Sequence, residues 1–220
     1  MFEAKEIVPQ NPDWIVLVFF VVFAILTFLK ISFNDRLYHT STLFFSKKHL
    51  SIYFNKEKTN VLNLFQVLIF VVQVLIISLL FYAYGGYFQF FSEPLNIKTY
   101  VLILIGVVLY FGFRFLLGFF LAYVLNLTNV YKKILFEKIN YFNALILWII
   151  IPLLFLIYTQ NNHNIFSWIM ILLIVVLLIL RYVLILNNNK YLLFNNLFYF
   201  ILYLCALEIA PLVIIFKLTI

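Results

Sequence analysis

Six long apolar runs, divided by shorter polar segments, set the pattern of this chain. A hydrocarbon core about 30 Å thick takes about 20 helical residues to cross, so each run is read as a spanning helix. The first covers about Trp14 to Phe33 and is interrupted only by Thr27, Lys30 and Ser32. The others are Val61–Tyr84, about Tyr100–Leu127, Tyr141–Tyr158, Phe166–Leu186 and about Leu193–Phe216. Tyr and Trp stand at many of the run ends (Trp14, Tyr84, Tyr100, Tyr141, Tyr158, Trp168), where amphipathic rings favour the headgroup level. The pattern predicts an all-α fold, a polytopic transmembrane bundle of six spans filling residues 1–220 as a single membrane domain. The fourth run is the shortest and holds Pro152, which makes it the weakest of the six.

Composition agrees with this threading. Apolar residues make up 66% of the 220, and charged residues only 10%. Soluble domains carry about 45–50% and about 25% respectively, so this chain lacks the polar residues to cover a water-facing surface. Mean hydropathy is +1.12. These values exclude a soluble enzyme, a nucleic-acid-binding domain and a disordered chain. A single cysteine, Cys205, excludes an internal disulfide and a cysteine-rich metal site.

The net charge of +7 matters through its placement rather than its size. Alternate loops hold Arg36, Lys47, Lys48, Lys56 and Lys58, then Lys132, Lys133 and Lys138, then Lys190: nine basic residues on one side. The opposite side has Lys5, Lys98 and Lys217, among Glu3, Glu6, Asp13 and Glu93. The positive-inside rule then puts the three basic loops in the cytoplasm and both termini in the periplasm. The N-terminal region is acidic, its apolar run is too long for a signal peptide and no small-residue cleavage site follows it, so the first span is expected to remain.

The largest expected extramembrane piece is the cytoplasmic loop 34–60. Its stretch from Leu37 to Leu50 mixes aromatics with Lys47 and Lys48. One reading lays it on the inner leaflet, lysines towards anionic lipid; the other is a solvated loop whose lysines set topology. The second basic segment, Asn129–Asn140, is expected to form a loop or to extend the third helix beyond the headgroups. No internal repeat supports an inverted-repeat transporter.

Ionisable residues within spans are costly and mark functional candidates. Arg114 lies near the middle of the third run, on a drifting face with Gly106, Tyr110 and Gly118. Small residues allow a neighbouring helix to approach, so this face should point into the bundle. Glu208 lies in the sixth run, one turn before Pro211, and helix depth puts it within roughly two turns of Arg114. The two form either a structural ion pair or the core of an ion, proton or anionic-ligand pathway. Arg181, near the basic end of its run, is expected to snorkel to the headgroups. Asn63, Gln66 and Gln73 are spaced by three and seven and make a polar stripe, read as helix packing before pore lining. Asn196, Tyr199 and Tyr203 make a similar stripe in the sixth run.

Catalytic signatures do not appear. His39, His49 and His163 have no ligand spacing, and there is no H-E-x-x-H, G-x-S-x-G or P-loop. No catalytic residue, metal site or cofactor is therefore expected. The stretch Leu135-Phe136-Glu137-Lys138-Ile139-Asn140-Tyr141-Phe142-Asn143-Ala144-Leu145, followed by the apolar run to Pro152-Leu153-Leu154, resembles small polytopic inner-membrane proteins of Bacteroidota-type bacteria, grouped as domain of unknown function 4271. The resemblance implies a multi-pass protein of the bacterial inner membrane and brings no activity with it. The expected partners are the lipid bilayer and other membrane proteins, not nucleic acid. The leading expectation is a non-enzymatic accessory or scaffold subunit. A small transporter or channel-like protein using Arg114 and Glu208 comes second, and a lipid-active membrane enzyme third.

Overall fold

The computed structural model describes residues 13–44, 63–87, 96–124, 128–159 and 163–188. Within them the chain forms six helices: α1 Trp14–Ser32, α2 Asn34–Ser41, α3 Leu64–Tyr87, α4 Ile97–Val124, α5 Thr128–Tyr158 and α6 His163–Asn188. Five of these, all but the short α2, are long and apolar enough to cross a bilayer. The first five runs each correspond to one of them. The sixth, 193–216, lies outside the described residues.

Successive long helices alternate in direction. One end of the bundle gathers Trp14, Tyr82, Tyr84 and Tyr100; the other holds Arg36, Lys132, Lys133, Lys138 and Arg181. We call these the aromatic end and the basic end. At the aromatic end the Trp14 ring packs on Tyr82 and Tyr100, with centroids 5.1 and 4.9 Å away. The Tyr84 hydroxyl there donates to the Ser167 carbonyl at 2.9 Å, tying α3 to α6. Rings that close together leave no space for a ligand and act as packing at the headgroup level.

α3 and α5 are the central helices, each with half of its spanning window buried, against 11% for α4 and for α6. The main core runs between them as Val72, Ile76, Leu79, Ile149 and Leu153, and Ile15, Phe19 and Val22 of α1 close it. Without a hydrophobic effect between lipid and helix, such contacts hold by close packing and by the polar bonds they enclose.

Two segments depart from the hydropathy reading. Residues 34–44, placed by sequence in the cytoplasmic loop, fold onto the bundle instead. The chain turns at Phe33 (φ −141°, ψ 48°), whose N–H still donates to Leu29 at 2.8 Å. α2 then packs against α1 and α5. Thr40 and Leu43 are buried, and the Trp148 indole N–H donates to the Ser41 carbonyl at 3.1 Å. Thr40 and Leu43 thus face protein, while Tyr38 stays exposed on α2.

The second departure is α5. Residues 129–140 neither loop out nor extend the third helix; they form the first turns of α5, which runs unbroken for 31 residues. That is about 46 Å of helix, longer than a bilayer core. The stretch contains no glycine, and its one proline, Pro152, lies in the last two turns. Nothing in it stops a helix, whereas the ionisable residues at 132, 133, 137 and 138 stop a hydropathy count.

Candidate functional site

Six of the eight buried polar side chains among the described residues lie on the two central helices, α3 and α5. Glu137, Asn140 and Asn143 of α5 and Gln66 and Gln73 of α3 are all buried, in a chain that offers few polar residues to spend. Gln73 Nε2 donates to Asn143 Oδ1 across the two central helices. Asn140 Nδ2 turns back to its own helix, donating to the Phe136 carbonyl at 2.9 Å. Asn188 Nδ2 of α6 donates to the Tyr141 hydroxyl at 3.0 Å, and the Glu137 carboxylate is close enough for its charge to act on that same hydroxyl. Two guanidiniums stand at this level. Arg36 of α2 lies over the Phe65 ring at 4.2 Å, and Arg181 of α6 lies over Phe142 at 4.9 Å.

Arg181, expected to snorkel, meets protein groups at the basic end. Its Nη2 donates to the Lys138 carbonyl at 3.3 Å, so the side chain reaches across to α5. The Phe142 face offers cation–π attraction of about 0.5–2 kcal/mol, and the carbonyl a charge-assisted bond; together these hold the guanidinium inward.

Arg114 is half-buried on α4, and its Nη1 donates to the Tyr110 hydroxyl one turn back at 3.4 Å. The charge also reaches the Tyr131 hydroxyl of α5. Of the small residues on its expected face, Gly118 has a clear structural use: a Cβ there would run into the Tyr131 hydroxyl. Gly118 lets α5 lie close against α4 near the basic end. At Gly106 a Cβ would meet nothing, so that end of the face does not point into the bundle. Glu208, Lys47 and Lys48 lie outside the described residues, as does the stripe of Asn196, Tyr199 and Tyr203.

Asn63 is not on the helical stripe with Gln66 and Gln73. It precedes α3 and half-buried there its carbonyl accepts from the N–H groups of Gln66 and Val67 at 2.8 and 3.1 Å. It serves the helix N-terminus, while Gln66 and Gln73 face the interior. Sequence reasoning missed Glu137, Asn140 and Asn143 because they fell in or beside a segment read as a loop. The available signal was their spacing of three, which puts them on adjoining positions of one helical face.

The contacts this arrangement makes are hydrogen bonds, cation–π contacts and charge placement. Among the described residues, no three His, Cys, Asp or Glu side chains gather as a metal site. No curated protein and no solved structure matches the chain. A family does, under the description "Domain of unknown function", and its match extends over residues 15–219, nearly the whole sequence. By that extent, the chain belongs to the domain of unknown function 4271 family.

Proposed function

We propose that this protein is a non-enzymatic accessory or scaffold subunit of an assembly in the bacterial inner membrane. The supporting observation is the uneven burial of its spans. α3 and α5 are enclosed, while α4 and α6 keep nearly nine-tenths of their spanning windows outside the buried core. On α4, Gly106 and Gly112 have no atom within 4 Å of where a Cβ would stand, which leaves backbone open to a close neighbour. The charge asymmetry supports a cytoplasmic basic end with both termini periplasmic. The Gln73–Asn143, Asn188–Tyr141 and Tyr84–Ser167 bonds join neighbouring helices, which suits a rigid platform.

The experiment is crosslinking in the native membrane, followed by gentle extraction and native mass measurement. A defined set of co-purifying membrane proteins, crosslinked through α4 or α6, is the expected result. A clean monomer with no crosslinked partner would remove the scaffold reading. The Arg114–Glu208 reading supplies the second class, transport, and flux into proteoliposomes by the pure protein would favour that class instead.

A further inference from the structure

Three cations meet at one level where α4 and α6 flank α5. Both helices pack on α5 and far less on each other. The half-buried Phe142 ring of α5 marks the place between them. Phe111 of α4 lies 5.8 Å from it between centroids, and the Arg181 guanidinium of α6 lies 4.9 Å over its face. Arg114 follows Phe111 by three residues and Lys138 precedes Phe142 by four, each one turn towards the basic end. Arg181 reaches the same level, since its Nη2 donates to the Lys138 carbonyl at 3.3 Å. Arg114, Lys138 and Arg181 are all half-buried.

Neither flanking helix supplies a carboxylate: α4 and α6 contain no Asp or Glu. Glu137 of α5 is five residues from Phe142, which puts it about 140° around the helix, whereas Lys138 at four residues is only about 40° away. The outward faces of both flanking helices are apolar and exposed, with Phe113 and Leu116 on α4 and Val183 and Leu186 on α6 among them. The depth suits a headgroup. Tyr100 stands at the aromatic end, and Arg114 lies fourteen residues further along α4, about 21 Å into a core about 30 Å thick. That leaves about 9 Å to the basic-end boundary, a gap that an arginine side chain and a phosphate drawn slightly inward close between them.

We propose that the cleft between α4 and α6 binds an anionic phospholipid, with Arg114, Lys138 and Arg181 around its phosphate and its acyl chains along the apolar flanks of the two helices. Basic pockets between spanning helices hold anionic head groups by this combination of charge and lipid contact. Intramembrane cations are costly, and this chain, only 10% charged, sets three at one depth. A phosphate among them offsets that cost, because guanidiniums take its oxygens in pairs through charge-assisted bonds. A zwitterionic lipid brings a cationic amine into the same cluster and gains less. A free anion gains the charge but nothing from the apolar walls.

The test uses the intact protein with phosphatidylglycerol as the probe and phosphatidylcholine of the same acyl chains as the comparison. Native mass measurement from detergent, titrated with each lipid, gives the two affinities. An attraction of about fivefold per cation predicts that phosphatidylglycerol binds at least about tenfold more tightly. Arg114→Gln and Arg181→Gln should each cut that preference about fivefold. Lys132→Gln, ten residues from Phe142 on an exposed side chain, should leave it unchanged. Should either arginine variant fail to fold, a phosphatidylglycerol with a photoactivatable group beside its phosphate maps the site on the unsubstituted protein in vesicles. Its crosslinks should fall on α4 near Arg114, on α5 near Lys138 and on α6 near Arg181. Equal binding of the two lipids, arginine variants that keep the full preference, or crosslinks confined to other helices would overturn the proposal. So would displacement of phosphatidylglycerol by inorganic phosphate, which marks a free-anion site. A preference seen only in Glu208→Gln would overturn it too, by marking the chain's own carboxylate as the occupant.

Discussion

The Gln73–Asn143 bond is the polar link between the two central helices, and removing either partner should cost more than removing both. Asn143→Leu takes away an interhelical bond, worth about 0.6–1.7 kcal/mol in a membrane bundle. It also strands the Gln73 Nε2 donor in a site that is 3% exposed, at about 1–3 kcal/mol. The single substitution should therefore destabilise by about 2–4 kcal/mol, and Gln73→Met by a similar amount. The double substitution replaces two amides with apolar groups of comparable size. No donor is then stranded, and the loss should shrink to about 1 kcal/mol or less. Reversible unfolding in mixed micelles, titrated with denaturing detergent, gives the free energy for each corner of the cycle. Gln66→Met combined with Asn143→Leu is the control, since the register separates those residues by about 10 Å and distant pairs add to within about 0.5 kcal/mol. If the Gln73–Asn143 cycle is also additive to that extent, the two amides are not coupled and the bond does not hold the central helices in register.

Three further outcomes follow from the geometry. Gly118→Ala should destabilise by about 1–3 kcal/mol through overpacking, and Tyr131→Phe in the same chain should recover part of that loss, since the Tyr131 hydroxyl is what the new methyl meets; the thermal midpoint in detergent checks both. Arg114→Met or Glu208→Gln alone should cost roughly 3–5 kcal/mol if the two are paired, with partial recovery in the double substitution, whereas a transport role predicts lost flux at near-normal stability. A periplasm-active reporter fused after Ile220 should be active and a cytoplasm-active one silent; the reverse result would invert the proposed topology.

Hydropathy was enough to place five spanning helices because crossing the hydrocarbon core imposes one requirement, about 20 apolar residues in sequence. It located the ends of α1, α3 and α6 to within a few residues. It misplaced residues 34–44 and 129–140 for a common reason: a count of apolar residues measures preference for lipid, and these segments also set side chains against protein, Thr40 and Leu43 in the first, Ile134, Phe136 and Glu137 in the second. Thr40 and Ser41 lower the count, yet Thr40 is buried and Ser41 gives its carbonyl to Trp148. Glu137 lowers it further, yet lies buried among α5's own neighbours. Burial against a partner helix leaves only a weak mark in a single sequence, because the partner is chosen by register and the register here rests on one amide pair seventy residues apart.

The same reasoning explains why Gln66 and Gln73 were legible as a stripe while their counterparts were not. Two amides in an otherwise apolar run stand out. Asn140 and Asn143 stand beside Lys138 and Glu137 and are lost in that background. Reading α5 as one continuous helix changes its chemistry as well as its length. Residues 137, 140 and 143 then become three consecutive positions on a helix face instead of the end of a loop, and the polar residues of α3 acquire an opposite number. The candidate site is a property of that pairing: neither helix contains it alone, and it exists only because α5 carries its polar first turns into the bundle.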